Sequence, residues 1–205
     1  EVNLSRAGRS LSGPSQLHEK VEIAATGILN YSISPQSFWQ SHVSAPQVLV
    51  EKVIELLQPA KDEVICDLYG GVGLFALALS RVVGERGKVH LVESSKSAIA
   101  DARRIFKSEK SVEIHSGMVE SVLPLLKDID AILLDPPRTG AGEQVVRAMA
   151  KAHPRTIVYV SCDPASLARD AKLLQEQGYA LDSLSGFDLF PHTHHVESVA
   201  RFIPA

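Results

Sequence analysis

The chain has 205 residues, of which 45% are hydrophobic and 22% charged, and its formal net charge is −3. This composition is typical of a folded globule and excludes disordered, collagen-like and coiled-coil chains. Two cysteines, Cys66 and Cys162, are too few for a disulfide framework or a four-cysteine metal site. With no apolar run long enough to span a membrane and no signal segment, we expect a cytoplasmic monomer. A chain without net positive charge needs local basic residues, or another domain, to bind nucleic acid.

The first 43 residues differ in character from the rest of the chain. Residues 1–19 are rich in Ser, Gly and Arg, which is typical of a loose lead-in. Two short β-type runs, Lys20–Ala25 and Ile28–Ile33, flank a Thr-Gly turn and predict a hairpin. We expect residues 1–43 to form an appendage and residues 44–205 to form one α/β domain.

From residue 44 onward the pattern alternates between helices and strands. The first helix follows Ser44-Ala45-Pro46-Gln47, which has the form of a capping box. Five strands with crossover helices predict a doubly wound, mostly parallel sheet. The last two strands, Tyr179–Leu184 and Val196–Ile203, have no helix between them, so we expect them to pair antiparallel at one edge of a seven-stranded sheet. The five earlier strands are predicted at Glu63–Leu68, Lys88–Glu93, Val112–His115, Ala131–Leu134 and Thr156–Ser161, and the helices between them at Leu74–Val83, Ser97–Lys107, Val119–Leu126, Glu143–Ala152 and Pro164–Gln177.

A glycine-rich loop, Tyr69-Gly70-Gly71-Val72-Gly73, follows the first of these strands. Glycines there let the backbone approach a ligand at a helix N-terminus, although such turns are also often purely structural. Glu93 ends the next strand, twenty residues after Gly73. An acid at that place hydrogen-bonds the ribose hydroxyls of nucleotide-type cofactors, and the alternative is a solvated strand-end acid. Ligands bind beyond the carboxyl ends of the strands in such sheets, so we expect a cofactor here.

Two further strand ends carry reactive or polar residues. Asp135-Pro136-Pro137-Arg138 follows the fourth parallel strand, and its prolines predict a rigid bend that holds Asp135 at the rim. Cys162 follows the fifth strand, just before a helix that begins at Pro164. Helix N–H dipoles lower a thiol pKa, so this position favours a nucleophile over a small buried hydrophobe. We expect Cys66, inside an apolar run, to lie in the core.

Histidines cluster near the C-terminus, at His192, His194 and His195, with Glu197 after them. Their spacing matches no strong zinc pattern, so we expect no metal site. Glu197, at the start of an edge strand, is a candidate general base facing the cleft.

Taken together, these residues resemble the RNA uracil-5 methyltransferases, which make 5-methyluridine in transfer and ribosomal RNA with S-adenosyl-L-methionine. The resemblance covers about residues 34–205, in family order. The matching segments are Phe38-Trp39-Gln40, Asp67-Leu68-Tyr69-Gly70-Gly71-Val72-Gly73, Asp135-Pro136-Pro137-Arg138, Ser161-Cys162-Asp163-Pro164 with Leu167-Ala168-Arg169-Asp170, and Phe190-Pro191 through His195-Val196-Glu197.

The resemblance implies roles for individual residues. Cys162 would be the nucleophile that adds to the uracil and Glu197 the proton acceptor. The remaining matches imply cofactor contacts at Gln40, Tyr69, Gly71, Glu93 and Asp135. Where many members have Asn after the nucleophile, this chain has Asp163, whose carboxylate would tend to raise the thiol pKa.

The resemblance also implies an RNA substrate, tRNA or rRNA, and a fold of the Rossmann-like methyltransferase type. Members usually carry an N-terminal RNA-binding domain, so residues 1–43 would be the remnant of a central domain. Phe38, Trp39 or Phe190 would stack on a base taken out of its RNA context, and Arg138, Lys151 and Arg155 are candidate phosphate contacts.

Three alternatives remain open at this level. One is a methyltransferase that acts on another base or on cytosine. The second is a Rossmann-type nucleotide-binding or dehydrogenase domain, and the third is a fragment that binds cofactor without turnover. The direction of the last strand separates the second alternative from the first.

Overall fold

The computed structural model describes residues 4–6, 9–13, 15–190, 192–193 and 196–205. Three sheets and six α-helices lie within these ranges. The strands are β1 Leu4–Arg6, β2 Arg9–Ser12, β3 Leu17–Ile23, β4 Gly27–Ile33, β5 Val64–Leu68, β6 Lys88–Glu93, β7 Val112–Ser116, β8 Ala131–Leu134, β9 Thr156–Ser161, β10 Tyr179–Phe187 and β11 Glu197–Pro204. The helices are α1 Ala45–Leu57, α2 Leu74–Val83, α3 Lys96–Ile105, α4 Val119–Val122, α5 Gly142–Lys151 and α6 Pro164–Glu176, with a 3₁₀ turn at Leu123–Leu125.

The central sheet has seven strands in the order β10-β11-β9-β8-β5-β6-β7. Strands β5 to β9 pair in parallel, and β11 runs antiparallel to both β9 and β10. The predicted mostly parallel sheet with an antiparallel last strand is therefore confirmed. We expected a dehydrogenase domain to lack an antiparallel last strand. The observed topology therefore argues against the dehydrogenase alternative.

The predicted edge position of the last strand is wrong. Strand β11 lies between β9 and β10, and β10 takes the outer position. The burial pattern explains the order, because the first four residues of β11 are all buried whereas exposed residues recur along β10. A strand that is apolar on both faces is more stable inside a sheet than at its edge.

Two apolar layers cover the sheet. On one face α1 and α2 pack against residues such as Ile65 and Leu91. On the other face α5 and α6 cover Cys66, Leu68 and Tyr159, so the prediction that Cys66 is a core residue is confirmed. Burying a carboxyl group in such a core costs free energy unless the group is hydrogen-bonded.

The β3–β4 hairpin packs on the same core. Val21, Leu29 and Tyr31 are buried in one cluster with residues of α1 and α2. The Tyr31 hydroxyl donates a hydrogen bond to the Leu74 carbonyl, 2.9 Å away, at the first residue of α2. The hairpin predicted around the Thr-Gly turn is thus present, and it contacts the domain closely. The division of the chain at residue 43 stays a prediction.

Helices α1 and α6 begin where the sequence predicts them, but only α6 has a side-chain hydrogen bond that caps its first turn. Helix α1 begins after Ser44 as predicted, but the Ser44 side chain makes no capping hydrogen bond. Asp163 does cap α6, because its Oδ1 accepts a hydrogen bond of 2.7 Å from the Ser166 amide. Gly178 ends that helix with a φ of +86°, which only glycine adopts without strain. None of the described helices combines the length and hydropathy that a membrane crossing needs.

Candidate functional site

The loop between β5 and α2 turns on residues with positive φ. Tyr69, Gly71 and Gly73 have φ values of +59°, +57° and +95°. A Cβ on Gly73 would lie 2.3 Å from the Phe106 ring, whereas a Cβ on Gly71 would meet no atom within 4 Å. Gly73 therefore allows close packing on α3, and Gly71 presents bare backbone to open space. This is the geometry that lets a ligand approach the N-terminus of α2.

Glu93 ties this loop to the next strand. Its Oε2 accepts a hydrogen bond of 2.9 Å from the Gly71 amide, and its Oε1 accepts bonds from the amides of Ser94 and Ser95 at 2.7 and 2.6 Å. A carboxylate offers about four acceptor sites, so three amides leave it close to saturated. A ribose that bound Glu93 through two hydroxyls would have to replace the Gly71 contact.

The segment that carries Gln40 is held by a buried acid on α3. Asp101 accepts hydrogen bonds from the Ser34 amide at 2.8 Å, the Ser34 hydroxyl at 2.7 Å and the Ser37 hydroxyl at 2.6 Å, and it pairs with Arg104. Trp39, a few residues on, packs its ring 5.0 Å from that of Tyr31. The hairpin and α3 together fix where the segment enters the site.

A cleft opens between this segment and the glycine loop. Four of the predicted cofactor residues line it, namely Gln40, Tyr69, Gly71 and Asp135, and the remaining walls come from Phe38, Trp39, Gly70, Val72, Leu74 and Phe75. Gln40 Nε2 donates a hydrogen bond of 3.3 Å to Asp135 Oδ2 across the cleft. Burial and nearby charges raise the pKa of Tyr69 to about 12, so its phenol stays protonated.

Three carboxyl groups lie at or near the cleft. Asp135 lines it, and Asp67 and Glu197 are close enough that their charges act on Asp135. Burial raises the pKa of Asp67 and of Glu197 to about 7 each. Burial, together with the charges of Glu197 and Asp67, raises the pKa of Asp135 well above its ordinary value. The three groups are therefore partly protonated near neutral pH.

Asp67 also has an unsatisfied atom. Its Oδ2 accepts a hydrogen bond of 3.0 Å from the Ala76 amide, but its buried Oδ1 has no partner among the described residues. The carboxyl lies directly beneath the glycine loop, because a Cβ on Gly70 would be 3.2 Å from Asp67 Cγ. A buried acceptor without a partner is costly to stability.

Cys162 lies beside this carboxyl cluster. Burial and then the charges of Glu197 and Asp135 raise its thiol pKa, and the charge and hydrogen bond of Arg138 oppose that shift. The expectation of a lowered thiol pKa is therefore wrong in direction, because burial raises the pKa most and the nearby charges of Glu197 and Asp135 raise it further. Asp163 is not among the causes, since its carboxyl caps α6.

The loop after Asp135 is braced from α6. Asp170, which is fully buried, accepts hydrogen bonds from the Ala141 amide at 2.7 Å and the Tyr159 hydroxyl at 2.8 Å. Its neighbour Arg169 donates a bond of 2.7 Å to the Thr139 carbonyl. These contacts fix residues 139–142, and with them the Pro-Pro bend that positions Asp135 and Arg138.

Comparison with known proteins identifies the arrangement. The sequence profile of the family described as tRNA (uracil-5-)-methyltransferase matches residues 125–202. An uncharacterized RNA methyltransferase of Streptomyces avermitilis is 46% identical over 177 residues, which is 85% of this chain and 41% of that protein. Another from Streptomyces coelicolor is 42% identical over 207 residues, covering 100% of this chain and 45% of that protein.

Among solved structures, the chain resembles a tRNA (uracil-54, C5)-methyltransferase of Pyrococcus abyssi, crystallised with S-adenosyl-L-homocysteine. The TM-score is 0.79 at 33% identity, over 98% of this chain and 49% of the other. The chain belongs to the RNA uracil-5 methyltransferase family. It spans about half the length of the relatives named here.

Four of the seven predicted site residues line the cleft, namely Gln40, Tyr69, Gly71 and Asp135. Cys162 and Glu197 lie close enough to Asp135 for charge interactions, and Glu93 bonds the Gly71 amide. The roles of all seven residues stay predictions. Asp67, Asp101 and Asp170 were not predicted as site residues. Asp67 and Asp170 lie in segments that match the family, which was a usable signal, but nothing in the local sequence marks Asp101.

The structure also bears on the predicted RNA-contacting residues and on the C-terminal histidines. Arg155 comes just before β9, at the amino ends of the parallel strands. Its guanidinium donates hydrogen bonds to Glu63 at 2.6 Å and to the Leu57 and Gln58 carbonyls at 3.0 Å. These bonds favour a structural role, and Arg155 as a phosphate contact stays a prediction. Phe38 is 67% exposed and available for stacking, whereas Trp39 packs against the core. His194 and His195 lie outside the described residues.

Proposed function

We propose that the protein transfers a methyl group from S-adenosyl-L-methionine to carbon 5 of a uridine in RNA, through a covalent bond between Cys162 and the uracil. The observation that carries this proposal is that the charges of Glu197 and Asp135 reach the Cys162 thiol, while Asp135 itself lines a cleft built on a glycine loop. A thiol beside a carboxyl whose pKa is near 7 supplies both a nucleophile and a base.

The cleft suits this cofactor better than a dinucleotide. S-adenosyl-L-methionine carries a sulfonium and an amino group, and when bound it supplies an electrophilic methyl group. The Asp135 carboxyl lines the cleft and, when ionised, favours such cations. In the same state it would repel the diphosphate of a nicotinamide dinucleotide. Glu93, Gly71, Gln40 and Tyr69 are the residues that we assign to the remaining contacts.

Carbon 5 of uracil is a weak nucleophile because its electrons are delocalised in the ring. The Cys162 sulfur forms a bond to carbon 6, and the displaced electron pair makes an enolate in which carbon 5 is nucleophilic. Carbon 5 then bonds the methyl carbon as the sulfonium–methyl bond breaks. Glu197 accepts the proton from carbon 5, the double bond re-forms, and the bond between carbon 6 and sulfur breaks. Arg138 favours the thiolate at both ends of this sequence.

The identity of the RNA belongs to the same proposal. A net charge of −3 leaves this chain without a general attraction to phosphate, so we assign tRNA or rRNA binding partly to an N-terminal domain in the protein's remaining length. At the cleft itself, Phe38 is exposed for stacking and Arg138 for a phosphate or base.

Calorimetry tests the first step of this function. We expect S-adenosyl-L-methionine or its homocysteine product to bind, and NAD not to bind. Binding of NAD alone would favour the oxidoreductase alternative. Binding of the cofactor without RNA methylation by the full protein would favour a cofactor-binding domain without turnover.

A further inference from the structure

Two histidines and a glutamate meet on strands β6 and β7, and none of them lines the cleft. His90 lies in β6, and Glu113 is its register partner on β7. His115 follows Glu113 by two residues, so both point to the same face of the strand. One nitrogen or oxygen from each of the three side chains lies within 4.8 Å of the others. This arrangement is independent of the proposed methyltransferase chemistry.

The separations are those of a metal-binding triad. His90 Nδ1 is 2.9 Å from His115 Nε2 and 3.7 Å from Glu113 Oε2, and His115 Nε2 is 3.8 Å from Glu113 Oε1. Zinc binds nitrogen and oxygen at about 2.0–2.2 Å in a tetrahedron, which places ligand atoms roughly 3.3 Å apart. Shifts of a few tenths of an ångström would therefore bring three ligands around one ion.

The burial of His90 and the ion pair between Lys88 and Glu113 both affect whether the three side chains can bind a metal ion. His90 is only 7% exposed, yet its ring nitrogen faces a second imidazole and a carboxylate rather than apolar atoms. Lys88 Nζ lies 3.2 Å from Glu113 Oε2 and competes with a cation for that oxygen. The Lys88 side chain is 48% exposed, so it can move into water when an ion binds.

We propose that His90, Glu113 and His115 bind a divalent transition-metal ion, with zinc as the preferred ion among those of this ligand chemistry. Two imidazoles and a carboxylate are ligands that zinc accepts, and the fourth position is left for water or another ligand. Strand β7 is at the edge of the sheet and pairs only with β6. The ion would therefore cross-link the edge strand to its neighbour and stabilise the fold.

The competing explanation is a hydrogen-bonded pair of neutral histidines that needs no metal. Titration of the metal-free protein with zinc by calorimetry distinguishes the two, with cobalt as a spectroscopic probe. We expect one equivalent to bind, the visible absorption of tetrahedral cobalt to appear, and the thermal midpoint to rise with zinc concentration.

Variants assign the binding to these residues. His115→Gln changes a partly exposed residue and is expected to weaken zinc binding on the order of 100-fold or more. Loss of a residue that only hydrogen-bonds a metal ligand typically costs less, about 10- to 100-fold in affinity. Lys88→Gln is expected to strengthen it, because a competing cation is removed. His153→Asn removes an exposed histidine outside the cluster and should change nothing, since Asn tolerates the φ of +51° there. Absence of zinc binding, or equal binding by His115→Gln and the parent, would overturn the proposal.

Discussion

Glu197 offers a test that needs neither cofactor nor RNA. The Glu197→Gln substitution keeps the shape of the side chain and removes its charge. Glu197 is 3% exposed, and burial raises its pKa from 4.5 to about 7. An acid whose folded-state pKa is raised binds more protons in the folded than in the unfolded state. Folding stability contributed by this group therefore falls as pH rises from about 4.5 through 7 and then levels off.

The magnitude follows from the size of the shift. A displacement of about 2.5 pKa units corresponds to roughly 3 kcal/mol of destabilisation once Glu197 is ionised, as an upper value because Asp135 and Asp67 titrate with it. At pH 5 most of that cost is absent, because the folded-state carboxyl is still protonated. Glu197→Gln is therefore expected to stabilise the chain by about 1–3 kcal/mol more at pH 8 than at pH 5.

Urea unfolding at the two pH values, without cofactor, measures this difference directly. Glu85→Gln, a substitution of an exposed glutamate, is the matched control and should show no such dependence on pH. Equal stabilities of Glu197→Gln and the parent at pH 8, or a gain that is the same at both pH values, would refute the placement of an ionisable, buried Glu197.

Three further substitutions probe the parts that build the cleft. Glu93→Ala should weaken S-adenosyl-L-methionine binding by about 1–3 kcal/mol, and unchanged calorimetric affinity would remove Glu93 from the cofactor contacts. Asp101→Ala leaves the part-buried Ser34 amide without its acceptor, whereas the partly exposed Arg104 can turn to water. We therefore expect a loss of about 1–3 kcal/mol in unfolding free energy and weaker cofactor binding, and an unchanged unfolding free energy would contradict this. Gly73→Ala meets both a φ of +95° and the Phe106 ring, so its thermal midpoint should fall clearly, whereas Gly84→Ala, with open space beside its Cβ position, should fall less.

The parallel part of the fold could be predicted from the sequence because each strand is short, apolar and followed by a helix. Helix α2 was placed at Leu74–Val83 as observed. The order of the last two strands could not be read in the same way. A hairpin can add either of its strands to the sheet, and the choice depends on burial on both faces of β11.

The candidate site was predictable where a residue ends a strand, as Asp135 and Cys162 do. It was not predictable where a residue acts across the fold. Asp101 lies 67 residues from the Ser34 amide that it holds, and Asp170 lies 29 residues from the Ala141 amide. The thiol pKa of Cys162 likewise depends on its burial and on the charges of Glu197 and Asp135, which the local sequence does not show.

Trapping the covalent bond between protein and RNA tests most directly whether Cys162 and Glu197 act on one uracil ring. The protein is incubated with S-adenosyl-L-methionine and a uridine-containing RNA, then denatured and analysed by gel electrophoresis and mass spectrometry. We expect Glu197→Gln to accumulate a denaturant-stable adduct that already carries the methyl group, because the proton on carbon 5 cannot leave, and Cys162→Ala to form neither adduct nor product. An adduct in Cys162→Ala, or normal turnover by Glu197→Gln, would show that the two side chains do not act together on one uracil ring.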